Sequence, residues 1–119
     1  MKILVTTSTL KQDLDDPSPE FINNLIDGVA SISPDSEFIY VYPFKRTYPK
    51  LKSNKNISYK PYKYWITSKG HNILDKGLYQ SIKSNKLNFI KIFFLLLSQF
   101  FYTFYLTIKV KPDYIYAHW

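Results

Sequence analysis

Met1-Lys2-Ile3-Leu4-Val5-Thr6-Thr7 opens the chain, Ser18-Pro19-Glu20-Phe21-Ile22 begins a periodic stretch that runs to Ser33-Pro34-Asp35, and Phe38-Ile39-Tyr40-Val41-Tyr42-Pro43 closes the unit. The first piece is a short apolar run followed by hydroxyl residues, the pattern of a buried parallel strand. The second carries helix-start signals: Ser18 as N-cap, Pro19 at the first helical position and Glu20 beside the positive helix end. Phe21, Ile22, Leu25, Ile26, Val29 and Ala30 then fall on one helical face, with Asn23, Asn24 and Asp27 opposite. Ser33-Pro34-Asp35 stops the helix, and Phe38–Tyr42 is a second strand ended by Pro43. A helix of this length between two apolar strands makes the strands parallel, with a right-handed crossover. In open sheets of this kind ligands bind beyond the carboxyl ends of the strands.

Working outward, the middle of the chain is less regular. Ile57–Lys60 reads as a third strand, Pro49 and Pro61 as loop markers, and Tyr79–Leu87 as a short helix. Phe89–Ile108 is the most apolar stretch, with Lys86 and Lys91 at one end and Lys109 and Lys111 at the other. A membrane span needs about 20 consecutive apolar residues. Here Ser98, Gln99, Thr103 and Thr107 interrupt the run. Lys111-Pro112-Asp113 then reads as a helix stop and turn, and Tyr114–Ala117 as another short strand. A helix buried against the sheet is therefore preferred over a span.

The chain has 119 residues, 45% of them apolar, which allows one small core. It holds no cysteine, so disulfides and thiolate metal sites are excluded. Lys2 before three apolar residues does not make a signal peptide. The net charge of +7 is unevenly placed. Residues 1–37 hold seven of the nine acids, whereas Lys45, Arg46, Lys50, Lys52, Lys55, Lys60 and Lys63 form a stretch with no acid. Such a stretch attracts anionic lipid head groups, pyrophosphates or nucleic acid, or is simply a solvated face.

Few residues carry chemistry by themselves. Asp13, Asp15 and Asp16 fail as a calcium loop, because the sixth position is Ser18 and the twelfth is Asn24. Thr6, Thr7, Ser8 and Thr9 end the first strand, where hydroxyls and backbone N–H groups can hold phosphate or sugar oxygens. No glycine-rich nucleotide fingerprint follows them. His118 stands at the end of the last strand, where α/β sites are assembled; His71 sits in a polar segment and is assigned no role. Lysines interleaved with Tyr48, Tyr59, Tyr62 and Tyr64 could stack on single-stranded bases. No nucleic-acid motif accompanies them, and nucleic acid ranks last among the partners.

The order of these pieces, together with Arg46-Thr47-Tyr48-Pro49 and the closing Lys111-Pro112-Asp113-Tyr114-Ile115-Tyr116-Ala117-His118-Trp119, resembles the N-terminal region of family 4 glycosyltransferases, above all the bacterial exopolysaccharide and lipopolysaccharide enzymes. In those enzymes a Pro-Asp-x-Ile-x-Ala-His-Trp stretch ends the fourth strand. The resemblance implies an α/β fold of B type, two Rossmann-like domains facing across a cleft, the first mainly binding acceptor and the second the nucleotide-sugar donor. Residues 1–119 would be the truncated acceptor-side domain, a partial Rossmann-like parallel sheet with flanking helices and strand order 3-2-1-4. Transfer to a glycan or lipid-linked acceptor would retain anomeric configuration, without metal or cofactor. His118 would contact the transferred sugar near the reaction centre, and Thr7, Ser8 and Thr9 would bind substrate. The implied location is cytoplasmic, peripheral at the inner face of the cell membrane, with an anionic membrane surface as a further partner. Many members carry a Gly-Gly pair after the first strand; Asp15-Asp16-Pro17-Ser18-Pro19 stands here instead. With the second domain and its pair of glutamates missing from the sequence, catalysis by these residues alone is not expected. The other reading is a small membrane-associated protein anchored by residues 89–108.

Overall fold

The computed structural model describes residues 1–8, 10, 20–45, 55–75 and 77–118. Four strands form one parallel sheet: β1 (Lys2–Thr7), β2 (Glu37–Pro43), β3 (Ile57–Tyr62) and β4 (Tyr114–His118). Their spatial order is β3-β2-β1-β4. All three pairings are parallel, with Ile3 opposite both Phe38 and Tyr114, and Phe38 opposite Ile57. The α/β class and the 3-2-1-4 order expected from the sequence are therefore those of the protein.

Because side chains alternate along a strand, each face of the sheet collects its own core. On one face Val5, Phe38, Tyr40 and Tyr42 pack against α1 (Phe21–Ile32) through Ile22, Ile26 and Ala30, with Leu10 completing the cluster. On the other face Leu4, Ile39, Val41 and Tyr62 pack against α3 (Asn88–Val110) through Leu95 and Leu106. A short helix, α2 (Leu78–Ser84), connects the two halves. It enters through Gly77, whose φ of 80° suits glycine. The Ser81 hydroxyl ties it back to the Ile73 carbonyl at 2.6 Å.

The helix ends follow local chemistry. Glu20 already has helical dihedrals and accepts a hydrogen bond from the Asn24 N–H at 3.0 Å. Ser18 and Pro19, read as the N-cap and first helical position, lie outside the described residues. At the other end the Ser33 N–H caps the Val29 carbonyl at 3.1 Å. Helix α3 stops where Lys111 turns left-handed, at φ 51°, immediately before Pro112. Two expectations need adjustment. Pro61 does not mark a loop but sits inside β3, paired with Tyr42. β3 is an edge strand, where a residue without an N–H leaves no ladder bond unmade if its nitrogen faces outward. Phe21, Leu25 and Val29, expected on the buried face of α1, are 52%, 47% and 36% exposed. They form a stripe along the flank nearer β4, and no described element covers it.

Strand β4 is held differently from the others. The Lys2 N–H donates to Asp113 Oδ2 at 2.7 Å, and the Asp113 N–H donates to the Lys2 carbonyl at 2.9 Å. This pair sets the register of β4 on β1, while Tyr114, Ile115 and Tyr116 are each more than half exposed. Asp113→Ala should thus speed amide exchange along residues 114–118, leaving β1–β3 protection largely intact. The expected loss for this solvent-facing bond is about 1 kcal/mol, read by hydrogen exchange monitored residue by residue.

Burial also makes the sheet sensitive to alkali. Burial pushes the phenols of Tyr40, Tyr42 and Tyr62 well above their ordinary range, and the neighbouring Tyr59 raises the first two further. In the unfolded chain these phenols ionise near about pH 10. The contribution of the protonated phenols is therefore complete below about pH 10 and is lost as pH rises above it. A melting series across this boundary should show falling stability. The phenolate absorbance of these tyrosines should appear together with unfolding; their ionisation in the folded protein near pH 10 would contradict the burial account.

Candidate functional site

The carboxyl ends of β1 and β4 lie side by side. Parallel pairing places Thr6 opposite Ala117 and Thr7 opposite His118, residues more than a hundred positions apart in sequence. Thr7 is fully buried, whereas Ser8 and His118 are partly exposed at the rim. Thr9, the third hydroxyl expected to bind substrate, lies outside the described residues, as do Asp13, Asp15, Asp16, Arg46–Pro49 and Trp119. Leu10 turns inward and joins the core.

His118 is placed by α1. Its ring meets Phe21 edge-on, 5.5 Å between centroids at 69°. It therefore lies on the α1 face of the sheet, opposite the face that α3 covers. The Phe21 edge limits the imidazole's rotation and leaves one side of it at the rim. A ring held in this way can donate or accept one hydrogen bond to a sugar hydroxyl or a phosphate oxygen arriving over the strand ends. Among the described residues no group of three or more histidine, aspartate or glutamate side chains could hold a metal ion.

His71 has a different environment. It is 2% exposed and edge-on to Phe44 and Tyr64 at 5.2 and 4.8 Å. The Trp65 N–H donates to its Nε2 at 3.3 Å, and its Nδ1 lies 2.9 Å from the Thr67 carbonyl oxygen. Both nitrogens are used in fixing the 64–71 loop. Gly70 is required in the same loop, because a methyl group there would overlap the Trp65 indole.

Gln99, an interruption of the apolar run along the chain, is central to the α3 face. Gln99 is 4% exposed. Its Nε2 donates to Thr6 Oγ1 at 2.8 Å, and its Oε1 accepts from the Tyr62 hydroxyl at 3.2 Å. One amide thus ties α3 to β1 and β3 beneath the rim. The signal lay in spacing: Gln99 stands four residues after Leu95 and three before Tyr102, on the stripe that packs against the sheet. Of the tyrosines considered for base stacking, Tyr48 lies outside the described residues and the other three are otherwise engaged. Tyr62 and Tyr64 are 2% and 4% exposed, and Tyr59 packs against Tyr40 and Tyr42.

Comparisons with protein-family models, with curated protein sequences and with solved structures found no match to this chain.

Two threonines on α3's side of the molecule should respond oppositely to the same change. Thr6→Val removes the acceptor of the Gln99 amide and should cost about 1–3 kcal/mol. The Thr103 hydroxyl is buried without a hydrogen-bond partner, so Thr103→Val should be neutral or stabilising by about 1 kcal/mol. Denaturant melts of the two variants test the pair. Equal destabilisation would mean that Gln99 is not the anchor described.

Proposed function

We propose that residues 1–119 form part of the acceptor-side Rossmann-like domain of a retaining glycosyltransferase, which moves a sugar from a nucleotide-sugar donor to a polysaccharide or lipid-linked acceptor. The observation that carries this reading is the pairing of Thr7 with His118 at the carboxyl edge of a parallel 3-2-1-4 sheet. In such sheets that edge is where substrates are held, and the Pro-Asp-Tyr-Ile-Tyr-Ala-His sequence supplies the family resemblance at the same place. The reading is further supported by the uncovered surfaces on both sides of β4: the Phe21–Leu25–Val29 stripe with Tyr114 and Tyr116 on one face, and Ile115 on the other. They suit a domain in which further elements, and then a second domain, pack beside this strand.

In the proposed reaction the acceptor hydroxyl oxygen bonds to the anomeric carbon on the face from which the nucleoside diphosphate departs, and its proton passes to a departing diphosphate oxygen. His118 hydrogen-bonds the transferred sugar and Ser8 offers a second polar contact from the neighbouring strand end. Thr7, being buried, supports the rim from beneath. Stabilisation of the departing diphosphate is the larger electrostatic demand, and the donor-side domain would meet it. Alone, these residues would bind acceptor and turn over little.

The second reading, a protein anchored by a span at 89–108, draws on α3 being long and apolar enough to cross a membrane. Spanning would strip Leu95 and Leu106 from the core and leave Thr6, Gln99 and Tyr62 without their partners, so the described sheet and a span are alternatives. Release of the chain by alkaline carbonate would speak against the span.

The sugar-transfer reading is tested in a polypeptide that joins these residues to a donor-binding domain. His118→Ala should lower turnover by about 100-fold or more with an unchanged melting temperature. In the chain alone, amide resonances of Ser8 and His118 should shift on titration with an alkyl glycoside used as acceptor mimic. Unchanged turnover together with unmoved resonances would leave His118 a packing partner of Phe21.

A further inference from the structure

Helix α3 carries its polarity reversed. Its inner stripe includes Gln99, whereas Ile90, Phe93, Leu97, Phe101, Phe104 and Ile108, at steps of three or four residues on the opposite side, are between 38% and 60% exposed. A helix packed on a sheet and facing water shows polar residues there. This outer face is apolar for the whole helix, about 35 Å long. Uninterrupted apolar surface of that extent marks a contact with something other than water.

The surrounding charge says what that is. Between Asp75 and Asp113 the chain has no acidic residue and six lysines: Lys76, Lys83, Lys86, Lys91, Lys109 and Lys111. Of these, Lys83, Lys86 and Lys91 stand at the amino end of α3 and Lys109 and Lys111 at its carboxyl end, so they bracket the apolar face, with none between Lys91 and Lys109. At the α3 amino end the surface continues onto the loop after β3, where Ile66 is 97% exposed and the Trp65 ring lies 5.8 Å from Phe94. Lys91 Nζ sits 5.3 Å over that indole. Lys63, Tyr64, Trp65, Ile66 and Phe94 line a pocket of about 300 Å³. Phenylalanine and leucine on the apolar side, with lysine and tryptophan at its border, match the layers of a bilayer interface. A second copy of the chain is disfavoured, because face-to-face packing would bring the lysine-bearing ends of the two helices together, an excess of positive charge that Asp113 beside Lys111 does not balance.

We propose that the outer face of α3, together with the Trp65–Ile66 loop tip, docks in the plane of an anionic lipid bilayer. The apolar residues enter the acyl boundary and the flanking lysines meet the lipid phosphates. The helix lies on the membrane rather than across it, because Gln99 keeps its inner face on the sheet. Lipid docking uses only the α3 surface and does not depend on sugar transfer. His118, on the other face of the sheet, should leave it unchanged, so the two readings can fail separately.

The test is co-sedimentation of the full 119-residue chain with vesicles of phosphatidylcholine alone, or of phosphatidylcholine mixed with phosphatidylglycerol. Binding should be strong only with the anionic vesicles. It should weaken at least tenfold as ionic strength rises from about 0.01 M to about 1 M, where the screening length falls from about 30 Å to about 3 Å. Lys83→Gln and Lys86→Gln, both at exposed positions, should each weaken binding about fivefold. Phe101→Ser with Phe104→Ser, outside both core clusters, should weaken it at least tenfold with an unchanged circular dichroism spectrum. In a Trp119→Phe background Trp65 is the one remaining tryptophan, and lipids brominated in the acyl chain should quench its emission. Equal binding to neutral vesicles, no binding to either, or binding indifferent to the phenylalanine changes would overturn the proposal. So would a dimer that the same phenylalanine changes dissolve in the absence of any vesicle binding, which would assign the face to a second copy.

Discussion

Parallel pairing of β1 with strands on both sides is the constraint from which the rest of the structure follows. Six residues, Lys2–Thr7, take β2 on one edge and β4 on the other. Parallel neighbours cannot be joined by a tight turn, so each connection must cross a face of the sheet. The first crossover carries α1, and the last approach to β4 carries α3 on the opposite face. Leu4 is 0% exposed and Val5 8% exposed because each sits under a different helix. The same pairing brings His118 beside Thr7. Without the β1–β4 ladder and the Asp113 contacts that set its register, these two would have no reason to meet.

Burial is unequal across the sheet, and the inequality has a direction. β2 is buried along almost its whole length, while β4 is exposed at four of its five positions. On the α1 side a flank of apolar residues is left open towards β4; on the other side the outer surface of α3 is open along its entire length. These openings differ chemically. The surfaces beside β4 combine a strand edge that no other described strand pairs with and the exposed Tyr114, Ile115 and Tyr116, the kind of edge that takes up another strand. The α3 face has no backbone edge to offer. It is a smooth apolar ridge bordered by lysines, which suits a fluid lipid surface better than a strand.

Among the described residues, the buried polar groups are few and are spent on position. Gln99 fixes the depth of α3 over Thr6 and Tyr62. His71 fixes the loop that holds Trp65 near Phe94. Neither is placed where a substrate over the strand ends would touch it, yet each decides where an exposed surface lies. Gln99 commits the phenylalanines of α3 to the outside, and His71 with Gly70 commits Trp65 and Ile66 to the border of that surface. The buried tyrosines act in the same passive way, since their phenols stay protonated throughout the neutral range.

The sequence by itself determined the strand–helix–strand opening, the parallel class and the end of α3 at Lys111-Pro112, because periodicity and chain-stopping residues are local; the 3-2-1-4 order was an expectation from the family resemblance, and pairing between distant strands sets it. The sequence also placed His118 at a strand end. Tertiary structure alone decided three things. Pro61 became part of a strand, because only neighbourhood shows that β3 is an edge. Phe21, Leu25 and Val29 fell on an open flank, because a helical wheel shows which residues share a face but not how wide a sheet lies beneath it. Gln99, an interruption in an apolar run when read along the chain, became the inward anchor of α3. Its partners, Thr6 and Tyr62, are 93 and 37 residues away, and a hydrogen bond over that separation exists only once the sheet has assembled.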